Sequence, residues 1–161
     1  ELAAMVEREF GRLEGLLRNA AILGPRTPLA QLSGDNFMRV MQVNVNAPFL
    51  LTRHLLPLLQ AAPAASIILT SSGVGRTGKA YWGAYAVSKF AIEGLMQVLA
   101  HELDGSQVRA NSLNPGAVRT AMRMAAYPAE NRDELPRPED VVAPFLYLLG
   151  PDSRGVNGQA L

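Results

Sequence analysis

The 161-residue chain contains no cysteine. That excludes a disulfide framework and any thiolate zinc site, and it fits a reducing cytoplasm, the expected location. An excess of one charge is also missing: 15 basic against 14 acidic residues leave a net charge of +1, with no block of like charge. Such a balance offers no electrostatic footprint to nucleic acid or to an acidic membrane surface. No apolar run is long enough to span a bilayer. Residues 1–10 are amphipathic and lack the basic and apolar regions of a signal peptide. The only histidines, His54 and His101, lie on separate helical patterns without a second ligand at metal spacing, so no metal site is expected. The first residue is not Met, and no capping residue precedes the helical spacing of Leu2, Met5, Val6, Phe10 and Leu13. The chain is therefore expected to begin partway through a fold.

What is present is a globular composition, 48% hydrophobic and 18% charged, of a length that suits one core. The elements alternate. Residues 2–11 read as a helix ending near Gly11, and residues 14–18 as a short buried strand. A loop with Gly24, Pro25 and Pro28 follows. Ser33 or Asp35 caps a long helix over 36–60. Residues 65–70 form a β-branched apolar run, expected to be a buried parallel strand. A second long helix covers about 83–103 and stops at Asp104-Gly105. Residues 108–113 read as another strand, ending at Asn114-Pro115-Gly116. A polar, Pro-rich loop spans 127–137, Pro138 opens a last helix, and a further strand starts at 158–161.

Strands separated by long helices imply βαβ units, and hence a parallel sheet covered on both faces. Ligands of such sheets bind at the carboxyl ends of the strands. The loops starting at Asn19, at Ser71-Ser72 and at Asn114 should therefore open onto one edge, where chemistry is to be sought.

Tyr85 and Lys89 lie four apart near the start of a helix and share a face. An ammonium beside a phenol favours the phenolate, so a lowered tyrosine pKa is expected. Ser72, at the end of the preceding strand, can reach the same substrate oxygen. Taken alone, the pair reads better as a surface lysine packed on a half-buried tyrosine. Gly73-Val-Gly75-Arg-Thr-Gly78 has the spacing of a dinucleotide fingerprint. No helix opens on its glycines, however, and the acid at the right distance, Glu93, falls inside a helix. The glycines are read as letting the loop bend over the catalytic edge. Tyr81 and Trp82 are expected to wall a substrate pocket, and Met122, Met124 and Tyr127 to lie in a covering loop.

The ordered set resembles the short-chain dehydrogenase/reductase family over the whole chain. Arg18-Asn19-Ala20-Ala21 is similar to the family's Asn-Asn-Ala-Gly turn, and Val43-Asn44-Val45 to its helix asparagine motif. Thr70-Ser71-Ser72, Tyr85-Ala-Val-Ser-Lys89 and Pro115-Gly116-Ala-Val-Arg-Thr120 are similar to its serine, Tyr-x-x-x-Lys and Pro-Gly motifs, and Gly158-Gln159 to its closing segment. The stretches 41–46 and 82–90 look closest to bacterial YciK-like oxidoreductases.

The resemblance implies an α/β fold: a Rossmann-like, doubly wound parallel sheet, truncated so that the first βαβαβ half is missing, with residues 1–161 forming a single partial catalytic domain. It implies hydride transfer between NAD(P)(H) and a carbonyl or secondary alcohol, with NADP favoured. Tyr85 is the implied acid/base. Lys89 lowers its pKa and holds the nicotinamide ribose, and Ser72 orients the substrate oxygen. Asn44 supports a relay water, for which Pro48, having no N–H, leaves the Asn44 carbonyl free. Asn19, Ala20, Pro115, Gly116, Val118 and Thr120 are implied to bind cofactor together with Tyr85 and Lys89. Arg18 and Ala21 depart from the motif, and Ala21 would be strained if the turn required a positive φ. The implied partners are a small-molecule substrate and further copies of the chain, as a homodimer or homotetramer through helices 36–60 and 83–103. The alternative reading is a non-catalytic fragment or dimerisation module, unable to bind the dinucleotide alone. With its usual neighbour absent, the strand at 14–18 is expected to leave an open edge.

Overall fold

The computed structural model describes residues 1–161. The chain opens with α1 (Leu2–Phe10), which stops where Gly11 turns left-handed at φ 70° and donates its N–H to Glu7 O. Three strands, β1 (Gly15–Arg18), β2 (Ala65–Thr70) and β3 (Val108–Leu113), form a parallel sheet in that order. Leu16 lies beside Ile67, and Ile67 beside Ala110.

All six residues of the central strand are buried, as a β-branched run between two covered faces requires. On one face Ile67 and Leu69 meet Leu55 and Leu59 of α3 (Ala47–Gln60) and Ile92 and Met96 of α4 (Gly83–Glu102). On the other, Ile68 and Leu113 meet Leu148 of α6 (Ala143–Leu149). β1, expected to be buried, hides only Leu16, while Leu17 is 41% exposed because β1 has a strand neighbour on one side only. The opposite edge is occupied. The segment 158–161 runs beside β3, with Gly158 N donating to Ala110 O and Asn114 N to Leu161 O, both at 2.9 Å.

The helix expected over 36–60 is interrupted. Ser33 caps α2 (Gly34–Met41) by accepting from Asn36 N; a π-helical turn (Gln42–Asn46) follows, then α3. Pro48 cannot donate to the carbonyl four residues back, and the hydrogen-bonding pattern widens just before it, Ala47 N donating to Gln42 O. A short helix that sequence periodicity did not show, α5 (Ala121–Ala126), is capped by Thr120 accepting from Arg123 N. The last helix is divided into a 3-10 turn (Pro138–Val141) and α6, the break falling just before Pro144. Buried Arg109 closes α6 by donating to Leu148 O, Gly150 O and Ser153 Oγ at 2.7–2.9 Å, satisfying carbonyls that the helix end leaves free. No helix is long and apolar enough to cross a membrane.

Candidate active site

The carboxyl ends of β1, β2 and β3 open onto a cavity of about 370 Å³. Asn19 and Ala20 reach it from the end of β1, Ser72 from the end of β2, and Pro115, Gly116, Val118 and Thr120 from beyond β3. Tyr85 and Lys89 reach it from the first two turns of α4. These residues come from four separate stretches of sequence, and the parallel topology brings them together.

Lys89 is only 4% exposed, and its ammonium donates to Thr70 O at 2.7 Å. Its nitrogen lies 5.5 Å from the centre of the Tyr85 ring. Burial pulls its pKa down to about 8, against the opposing charge of Glu93 one turn on. The Tyr85 phenol is pushed above its ordinary pKa by burial, which outweighs the nearby Ser72 hydroxyl acting in the opposite sense. This corrects the expectation of a lowered tyrosine pKa: Lys89 is anchored to the end of β2, and desolvation dominates at Tyr85.

The glycine-rich loop has a packing role. Gly73–Gly75 form a 3-10 turn, and a Cβ on Gly75 would lie 2.7 Å from Lys89 Cβ and 2.9 Å from its carbonyl carbon. Only glycine lets this loop press against the backbone of the candidate catalytic helix.

Asn44 does not line the cavity. Its buried side chain accepts from Ile22 N (2.8 Å) and donates to Ile22 O (2.9 Å) and Ser88 Oγ (3.0 Å), and Ser88 in turn donates to Tyr85 O (2.7 Å). It thus fastens the loop after β1 to the helix that carries Tyr85. Ala21 incurs none of the strain anticipated for it: the positive φ in this loop falls on Gly24, at 69°. Arg18 is partly buried beside this turn, with its Nε unpartnered.

The outer wall is aromatic. Trp82 lines the cavity, whereas Tyr81, also expected there, holds a positive φ of 70° and is 56% exposed. The Trp82 ring lies 5.7 Å from that of Tyr85 and 5.9 Å from that of Tyr127. The Arg26 guanidinium sits 4.6 Å over Trp82 and donates to Ala126 O. Arg123 lies 4.0 Å over Tyr127 and is paired with Glu130. Sequence reasoning missed Arg26, because its aromatic partners come from distant segments, and Arg123, because its partner Tyr127, four residues on, fell in a stretch read as a loop. It also missed Ser88, for which the one available signal was its place three residues after Tyr85. No group of three His, Cys, Asp or Glu is arranged to hold a metal.

Residues 1–131 match the family model described as short chain dehydrogenase, and the chain belongs to this family. It is 49% identical over 158 residues to the uncharacterized oxidoreductase YciK of Escherichia coli (strain K12), covering 98% of this chain and 62% of that protein. A short chain dehydrogenase structure from Salmonella enterica serovar Typhi CT18 superposes with a TM-score of 0.98 at 47% identity, over 99% of this chain and 66% of that one. An Escherichia coli CFT073 structure complexed with NADPH gives 0.97 at 48% identity, over 99% and 66%. The chain thus spans about two thirds of the length of these relatives.

Proposed function

We propose that the chain is the catalytic portion of an NADP-dependent oxidoreductase that interconverts a carbonyl and a secondary alcohol. The observation that carries this reading is the convergence of Ser72, Tyr85 and Lys89 on one cavity at the carboxyl edge of the sheet. Tyr85 exchanges a proton with the substrate oxygen, and Ser72 orients that oxygen. A phenol is already protonated at neutral pH and burial favours that form further, so Tyr85 is poised to donate, the sense required for carbonyl reduction. Trp82 provides an apolar wall for the substrate.

The residues present fit a nicotinamide ribose. Thr70 Oγ1 is buried without a partner and borders the cavity, and the Lys89 ammonium and the Asn19 and Thr120 side chains stand around the same space. Buried polar atoms of this kind call for a hydroxyl- or amide-bearing ligand. Ala20, Pro115, Gly116 and Val118 supply close backbone and apolar contact. When bound, the dinucleotide supplies the hydride. NADP is preferred to NAD because a relative that matches almost the whole chain was solved with NADPH. With its side chain committed to Ile22 and Ser88, Asn44 serves a relay water through its backbone carbonyl. Phe49 and Leu50 on α3, with Val87 and Phe90 on α4, are exposed apolar residues that suit pairing with further copies of the chain.

Titrating NADPH while following thermal unfolding tests the reading. Saturation at a hundredfold excess over Kd should stabilise the protein by about 2.7 kcal/mol. The effect should vanish in Lys89→Ala and persist in Tyr85→Phe. In the complete enzyme, Tyr85→Phe should lose about 10²–10⁴-fold in turnover. No stabilisation of the folded protein, or full turnover in Tyr85→Phe, refutes the proposal.

A further inference from the structure

Glu93 lies one helical turn beyond Lys89, so Tyr85, Lys89 and Glu93 recur every fourth residue along one face of α4. It is 6% exposed. Ser112 Oγ of β3 donates to one carboxylate oxygen at 2.6 Å, and Arg76 Nε, from the loop after β2, donates to the other at 3.1 Å. The Ser71 hydroxyl, buried and otherwise unpartnered, adjoins the same carboxylate. The far end of Arg76 donates to Leu161 O at 2.7 Å, and that carbonyl also accepts from Asn114 N, directly before the Pro115-Gly116 turn. Glu93 is thus joined to the ends of β2 and β3 and, through Arg76, to the segment alongside β3, yet the chemistry proposed above gives it no task.

We propose that Glu93 is a positioning residue that keeps Lys89 in its ammonium form and ties the strand ends to the catalytic face of α4. The proposal rests on the oxidoreductase reading only for the importance it gives Lys89. A buried lysine drifts toward the neutral amine unless a negative charge is held nearby. Lys89 has no carboxylate in direct ion-pair contact; its hydrogen bond goes to a backbone carbonyl. Glu93 is the charge that opposes the effect of burial on it. Burial alone would raise the Glu93 pKa, but the donors Ser112, Ser71 and Arg76 outweigh it and hold the carboxyl below its ordinary pKa. The charge therefore depends on the same contacts that join the strand ends. Among the elements packed around Lys89, α4 presents Tyr85 and Glu93, and the loop after β2 presents Arg76. β2 presents Thr70, the residue after it is Ser71, β3 presents Ser112, the π-helical turn presents Asn44, and α2 carries Asp35 and Arg39, both exposed to solvent.

The chain has only two lysines, Lys79 and Lys89, and Lys79 is exposed. Labelling the lysine ε carbons with ¹³C therefore gives two separable NMR titrations. In Glu93→Gln the Lys89 midpoint should fall by about one pH unit, a tenfold loss of proton affinity. In Arg76→Ala it should rise, because a cation that offsets Glu93 has been removed. Arg76 is solvent-exposed, so this second variant is expected to fold, and an unmoved or lowered midpoint in it overturns the proposal even where Glu93→Gln fails to fold. An unmoved midpoint, or a rise in both variants as a merely loosened core would give, overturns the proposal. The titration needs no dinucleotide, so its failure is distinct from a failure to bind NADPH.

Discussion

At the scale of the residue, Lys89 couples function to stability. It is the most perturbed of the candidate catalytic groups: an unfolded lysine holds its proton to about 10.5, whereas the folded protein releases it near 8. Between these values the unfolded chain binds more protons, so stability rises with pH across that window, and below about 8 the cost of burying the charge is borne in full. Lys89→Met, which keeps the bulk and removes the charge, should therefore be more stable than the parent at pH 7. After allowance for the lost bond to Thr70 O, the gain should be about 2 kcal/mol. Urea unfolding at pH 7 and pH 9.5 checks this: the advantage should shrink at the higher pH. The Tyr85–Lys89 pair was legible in the sequence because helical spacing alone puts the two on one face. The direction of the Tyr85 shift was not, because its burial depends on packing with Val74 from the loop after β2 and with Ala126 from beyond β3.

At the scale of the element, the glycine loop and the π-helical turn do what periodicity cannot show. The strand β2 could be read to the residue, since a β-branched run ending in a turn has few alternatives, and β3 was delimited by the Asn114-Pro115-Gly116 turn that stops it. The interruption between α2 and α3 could not, because Pro48 signals a lost donor but not how the preceding turn will respond. Gly75 looked like part of a phosphate-binding spacing, whereas its place is set by contact with Lys89. Gly75→Ala should force the loop or α4 to move, costing about 1–3 kcal/mol in chemical denaturation. It should also weaken NADPH binding more than its effect on stability explains. Gly78→Ala, with open space at its Cβ position, is the control and should be close to neutral.

For the whole molecule, the two edges of the sheet differ. The β3 edge is covered by 158–161, whereas β1 offers an unpaired edge with Leu17 half-exposed on it and Leu149 of α6 against Gly15. Open apolar edges recruit other strands. Leu17→Lys should therefore reduce concentration-dependent self-association in sedimentation velocity, while changing thermal stability by less than about 1 kcal/mol. The open edge was expected only from the family resemblance, in which the strand at 14–18 has a further neighbour. The covered edge was only hinted at by the last four residues, since its pairing depends on Asn157 bridging Ala110 N and Ala100 O.

The paired hydrogen bonds of Asn44 to both backbone groups of Ile22 act as a ruler. From Arg18, fixed in β1, to Ile22, clamped to the π-helical turn, the chain has three residues with which to cross the mouth of the cavity. Insertions or deletions there would move Asn19 and Ala20 out of reach of the site.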